Sequence, residues 1–137
     1  MEREDKSSIF GCMSFFFYLY FRAWICGKET SMKVSKERLY KKEERKFQAS
    51  LIKDIKKKFP GCMVLKNDPN YIQGIPDLLV LYGKRWAALE CKRTSSSPHR
   101  PNQDYYVDKM NKMSFGRFIF PENKKEVLDD LQSAFRS

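Results

Sequence analysis

The sequence predicts a mixed α/β domain in the order α-β-β-β-α-β-α. Three observations predict it. Residues 41–59, "KKEERKFQASLIKDIKKKF", place apolar side chains at helical spacing. Residues 77–92, "DLLVLYGKRWAALECK", read as two apolar strands around a tight turn at Gly83-Lys84. Residues 122–135, "ENKKEVLDDLQSAF", form an amphipathic helix at the end of the chain.

In the first helix Phe47, Leu51, Ile52, Ile55 and Phe59 share one face, and Pro60-Gly61 stops it. The other face carries Lys53, Lys56, Lys57 and Lys58, as a solvated face would. Residues 62–66, "CMVLK", are a short strand, and residues 67–74 are a loop rich in turn formers. After the hairpin, residues 95–103, "SSSPHRPNQ", form a polar loop broken by proline. Residues 102–113 read as a helix with Tyr106, Val107, Met110 and Met113 on one face. Residues 116–121, "GRFIFP", are the last strand. Asn123 is placed to cap the final helix, with Glu126 completing a capping box.

The first 35 residues differ from the rest. Residues 9–26, "IFGCMSFFFYLYFRAWIC", are aromatic-rich and near the lower length limit for a membrane span, with Arg22 inside them. They lack the basic start and small-residue cleavage site of a signal peptide. Three readings compete: an anchor, a helix that packs on the domain, or sequence upstream of a start at Met32, whose following residues look like an ordinary cytosolic N-terminus. The third is preferred, with a hydrophobic extension at residues 1–35 and one domain at residues 36–137. On this reading a membrane enters only if residues 9–26 are a true anchor.

The 137 residues carry a formal charge of +10. Such an excess favours polyanions, nucleic acid before anionic membrane. The four cysteines, Cys12, Cys26, Cys62 and Cys91, form no CxxC pair, and His99 is the single histidine. A Cys/His zinc cluster and a dense disulfide scaffold are therefore not expected. Cys62 and Cys91 lie in apolar runs and read as buried, reduced residues of an intracellular, cytoplasmic protein. No phosphate-cradling GxxxxGK[ST] or GxGxxG is present, so no nucleotide cofactor is expected. A Ser-His-Asp triad would have to use His99 from its loop.

A two-residue loop with glycine first suits a type II′ turn. Tyr82 then faces Arg85, Leu81 faces Trp86, and Asp77 faces Glu90, with facing Cβ atoms about 5 Å apart. Strand alternation adds Lys92 to the same face. Both hairpin faces are otherwise largely apolar, as in central strands covered on both sides. Two facing carboxylates repel, and a divalent cation between them turns that repulsion into a binding site. Oxygen ligands without histidine point to a hard ion, Mg2+ with Mn2+ as a substitute. The plainer alternative is a structural ion pair of Lys92 with Glu90 or Asp77, which neutralises only one of the two acids.

These residues resemble the PD-(D/E)XK nuclease superfamily, whose core is the restriction-endonuclease-like fold, and the resemblance implies a mixed central sheet flanked by helices. "IPD", ending at Asp77, looks like the first half of its signature, and "ECK", Glu90 to Lys92, like the second. With "PNQDYYVDKM" following, the chain is most similar to the small virus-type replication-repair nucleases (VRR-NUC) and related phage nucleases, over about residues 40–121. The resemblance implies that Asp77 and Glu90 bind the metal, helped by the backbone carbonyl of Cys91. Lys92 then orients or activates the attacking water and steadies phosphate charge. A helix acid is implied at Glu44, with Gln48 one turn on, or alternatively at Glu43. Gln103 matches the glutamine that follows the ExK strand. The implied activity is metal-dependent endonucleolytic hydrolysis of DNA, with branched or junction DNA as a candidate substrate and a homodimer as a candidate state. The alternative is a non-catalytic basic DNA-binding module. Lys53, Lys56 and Lys57, with Lys58, Lys84, Arg85, Arg93 and Arg100, are candidates to track the nucleic-acid backbone. Tyr71, Tyr105 and Tyr106 are candidates for base stacking or for ordinary packing.

Overall fold

The computed structural model describes the backbone of residues 9–136 and the side chains of residues 32–136. The elements are helix α1 (Ile9–Lys58), strands β1 (Met63–Lys66), β2 (Leu78–Tyr82) and β3 (Arg85–Cys91), helix α2 (Pro101–Met113), strand β4 (Phe115–Ile119) and helix α3 (Lys124–Arg136). Helix α1 is far longer than its apolar stripe predicts, because it continues backward through the N-terminal segment. The chain divides into two units at Leu39–Tyr40. Over the described residues the first unit is helix alone. Among the described residues no helix is long and apolar enough to cross a membrane. The stretch at residues 9–26, and with it the anchor, packing and start-site readings, lies outside the described side chains.

In the second unit the sheet order is β1-β2-β3-β4. The first three strands are antiparallel neighbours, and β4 joins β3 in parallel through the crossover that α2 provides. The hairpin register is Tyr82 with Arg85, Leu81 with Trp86 and Leu78 with Leu89. Gly83 has φ +60° while Lys84 has no positive φ, as a type II′ turn requires.

One face of the sheet carries the core. Leu51, Ile55 and Phe59 of α1 and Val127, Leu128 and Leu131 of α3 bury Leu78, Val80, Ala87, Leu89 and Cys91. Phe59, Tyr82 and Phe135 close one end, with ring centroids 5.2–5.6 Å apart. Among the described residues, Lys58–Asp129 at 2.5 Å and Lys124–Asp54 at 2.6 Å pair α3 with α1.

Helix α2 covers the other face over β3 and β4. It lies so close to β4 that a Cβ on Gly116 would stand 2.5 Å from the Val107 carbonyl oxygen. The covering is partial. Leu79, Leu81 and Trp86 are half-buried, and on the edge strand Met63 and Leu65 are 58% and 41% exposed. The expected cover on both faces therefore holds at the α2 end of the hairpin and not at its tip.

Three smaller expectations are corrected. Met113 is 67% exposed, because α2 overruns the sheet at its last turn. Cys91 is buried, but Cys62 is only half-buried at the end of α1, and both thiols are free. Asn123 precedes α3 as a cap should, yet its side chain turns back to β4. Its Oδ1 accepts the Phe120 N–H at 2.9 Å, and its Nδ2 donates to the Phe118 carbonyl at 3.1 Å.

Candidate active site

Asp77 stands immediately before β2, at the open end of the hairpin. Its backbone is set by Asn67, whose N–H donates to the Asp77 carbonyl at 2.9 Å and whose Nδ2 donates to the Pro76 carbonyl at 2.7 Å. Pro76 is fully buried. The loop before it passes tightly over the start of α2. Gly74 has φ +92°, and a Cβ there would lie 2.5 Å from that of Asn102. Only glycine takes that backbone at no steric cost.

Across the hairpin, Glu90 and Lys92 alternate with Cys91, the last residue of β3. The Cys91 N–H donates to Asp77 Oδ2 at 3.0 Å. An extended residue directs its N–H and C=O to the same side, so the Cys91 carbonyl also faces the Asp77 side. Glu90 and Lys92 are buried, at 2% and 6% exposure. Lys92 Nζ lies 3.4 Å from Glu90 Oε1 and donates to Gln103 Oε1 at 2.7 Å and to the Pro98 carbonyl at 3.4 Å. Gln103 donates its Nε2 to Glu90 Oε1, and its Oε1 also accepts the Arg100 N–H at 3.1 Å. One amide thus fixes both charged groups. Glu90 Oε2 is buried and has no hydrogen-bond partner.

The electrostatics join these groups into one cluster. Burial, and then the charge of Asp77, push the Glu90 carboxyl up to about 7, against the opposing effect of Lys92. Burial raises Asp77 despite the Cys91 N–H, Lys92 and Lys66. Burial and then Asp77 raise Glu44, while Lys92, Arg93 and Arg100 oppose. Burial, Asp77, Glu90 and Glu44 together hold the Cys91 thiol far above its ordinary range, opposed by a side-chain hydrogen bond with Gln48. Lys92 offsets part of this negative charge, but all three carboxylates remain raised.

Helix α1 explains how Glu44 arrives. Residues 44, 48, 51, 55 and 59 form one stripe. It is apolar where it lies on the sheet and polar where it passes the sheet's open end. There Lys41, Glu44, Arg45 and Gln48 meet Lys66, Asn67 and Asp77 around a cleft of about 230 Å3. Glu43 is turned elsewhere. It is 58% exposed and stands 3.8 Å from Arg93, whose guanidinium lies 4.2 Å from the Tyr40 ring centroid.

Among the described residues no group of three or more His, Cys, Asp and Glu side chains is arranged to hold a metal. The donor set nonetheless fits a hard cation that keeps most of its waters, because Mg2+ is commonly held by only one or two carboxylates. The unpartnered Glu90 Oε2 and the upward-shifted acids are the features that a cation would relieve.

The structure brings together Asp77, Glu90, Lys92 and Gln103, with Glu44 facing them. Arg93 and Arg100 flank the cluster. It does not bring Lys53, Lys56 and Lys57 there. At 1.5 Å per residue they lie roughly 13–20 Å beyond Glu44 along α1. Lys58 is held by Asp129, and Lys84 and Arg85 sit at the hairpin tip, the opposite end of the sheet. Tyr71 and Tyr105 are exposed and Tyr106 half-buried against Tyr105. His99 stacks on Phe118 with centroids 4.0 Å apart and its Nδ1 is 3.0 Å from Asp104 Oδ1. Sequence reasoning missed Asn67, Lys41, Arg45 and Lys66. The register of β1 on β2 would have found Asn67, since Lys66 faces Leu78 and the next residue therefore faces Asp77.

No protein-family model matches the chain. No curated protein matches it.

Proposed function

We propose that the chain is a metal-dependent endonuclease with a restriction-endonuclease-like core, hydrolysing DNA phosphodiester bonds. Branched or junction DNA as substrate and a homodimer belong to the same proposal. The observation that carries it is the buried Glu90 carboxylate beside Asp77, held by Gln103 on one oxygen and without a partner on the other. Buried acids left in this state are costly unless a cation completes them.

Asp77 and Glu90, with the Cys91 carbonyl, would hold Mg2+ or Mn2+. Such an ion supplies Lewis acidity to the phosphate and lowers the pKa of a bound water. The chain's own residues do the positioning. Gln103 holds Lys92 at one height beside Glu90, so that Nζ orients the attacking water and offsets charge on the phosphate oxygens. Glu44 adds a third carboxylate from α1 and orients water at the cleft. Arg93 and Arg100 hold the phosphate backbone beside the cluster.

The 3.4 Å Lys92–Glu90 pair favours a second reading, a basic DNA-binding module with an internal ion pair and no catalysis. Incubating labelled linear and branched DNA with the protein in Mg2+ and in EDTA separates the two. Cleavage in Mg2+ that stops in EDTA supports the nuclease. Salt-dependent binding that ignores metal, without cleavage, supports the module.

A further inference from the structure

The end of the sheet presents charge in a fixed order. Lys66 ends β1, Asp77 immediately precedes β2, Glu90 lies on β3, and Lys92 and Arg93 follow it. The acids therefore stand between two sets of cations. The set on the β3 side, Arg93 and Arg100, is among the cations that the sequence nominates. The other set, Lys41, Arg45 and Lys66, lines the 230 Å3 cleft on the opposite side of Asp77. Lys41 and Arg45 are one turn apart on α1, and Lys66 is brought to them by the pairing of β1 with β2.

A polyanion approaching Asp77, Glu90 and Glu44 is repelled unless cations hold it on either side. Neighbouring strands are about 4.8 Å apart, so Lys66 is one strand spacing from Asp77 and two from Glu90. Its charge reaches Asp77, and from the β1 edge of the cleft it is placed to hold the phosphate next to one lying on Asp77 and Glu90. From this placement we propose that Lys41, Arg45 and Lys66 form a subsite for the phosphate adjacent to the scissile one. The ligand is then a nucleic-acid strand with at least two consecutive phosphodiesters, lying across the end of the sheet from β1 toward Arg93. The assignment rests on reading Asp77, Glu90 and Lys92 as a nuclease centre.

The test is binding, in EDTA, of a short fluorescein-labelled single-stranded DNA, followed by anisotropy over a salt series. The triple variant Lys41→Ala/Arg45→Ala/Lys66→Ala is compared with Lys109→Ala/Lys112→Ala/Lys125→Ala, which removes equal charge from α2 and α3. All six side chains are exposed, so both variants keep the core, and matching thermal melts verify it. The subsite predicts about tenfold weaker binding at low salt for the first variant, and a salt slope reduced by about 0.7 for one lost phosphate contact. It predicts little change for the second. Equal losses in the two variants, or an unchanged slope in the first, overturn the subsite. Because the assay contains no metal, that outcome is distinct from failure of the nuclease reading, which shows as absence of Mg2+-dependent cleavage by the wild type.

Discussion

Gln103 donates its side-chain amide to Glu90 Oε1 and leaves Oε2 of the same carboxylate buried without a partner. The same glutamine accepts from Lys92 at 2.7 Å, so one residue of α2 sets the height of both charged groups at the end of β3. Its own position depends on Gly74 and Gly116, two glycines at which the chain passes close to α2.

Gln103→Ala removes both restraints while leaving acids and lysine in place. Cleavage is expected to fall about 10–100-fold, as for groups that orient metal ligands. DNA binding in EDTA should stay near wild type. Single-turnover cleavage alongside binding isotherms reads the split.

The two candidate helix acids separate clearly. Glu44 lines the cleft with Asp77, whereas Glu43 is exposed beside Arg93. Glu44→Gln is expected to lower Mg2+-dependent cleavage by about tenfold or more, on the scale of general acid–base and water-positioning groups. Glu43→Gln should cleave within about twofold of wild type, since exposed pairs contribute little. Equal effects of the two would remove Glu44 from the site.

The pH dependence of stability has a definite sign. The Glu90 carboxyl is raised from 4.5 to about 7 in the folded chain. Between these values the folded state holds a proton that the unfolded state has released. Stability of the metal-free protein therefore falls as pH rises through this window and levels off above it, by on the order of 3 kcal/mol. The raised Asp77 and Glu44 act in the same direction. Thermal melts across the window should show the fall, Mg2+ should reverse it near neutral pH, and Glu90→Gln should flatten it. A melting temperature that climbs with pH through the same window contradicts the assignment.

Gly116→Ala tests the mount rather than the chemistry. The added Cβ meets helix backbone at 2.5 Å, which cannot yield as a flexible side chain would. Either α2 lifts from β4 or the strand shifts, at a cost of about 1–3 kcal/mol. Chemical denaturation measures it, and Gly61→Ala, where a Cβ meets nothing within 4 Å, is the matched control for space, though not for its positive φ of 85°.

The hairpin was legible because its signals are local. Gly83 names the turn, the turn sets the facing pairs as far as Leu78 and Leu89, and that register carried one residue further puts Asp77 opposite Glu90. The stripe Leu51, Ile55 and Phe59 was legible by periodicity alone. What lay hidden depends on contacts distant in sequence. Nothing local in "KNDPN" says that Asn67 will hold Asp77, because that follows from β1 pairing at one particular register. The lysines at 53, 56 and 57 drew attention as a dense run, yet a run on a helix says nothing about which end of the sheet it reaches. Lys41 and Arg45 do reach the cleft, from one turn before and one residue after Glu44, which was already suspected. The backward extension of α1 was missed because its stripe of apolar spacing begins only at Phe47.

The central claim is that Asp77 is a metal-binding group in phosphodiester hydrolysis. Cleavage of labelled DNA by wild type and by Asp77→Ala, at equal saturating Mg2+ and with matched folding, tests it most directly. The wild type should cleave in Mg2+ and not in EDTA, with the variant slower by on the order of 100-fold or more. Equal cleavage by the two proteins would contradict the account.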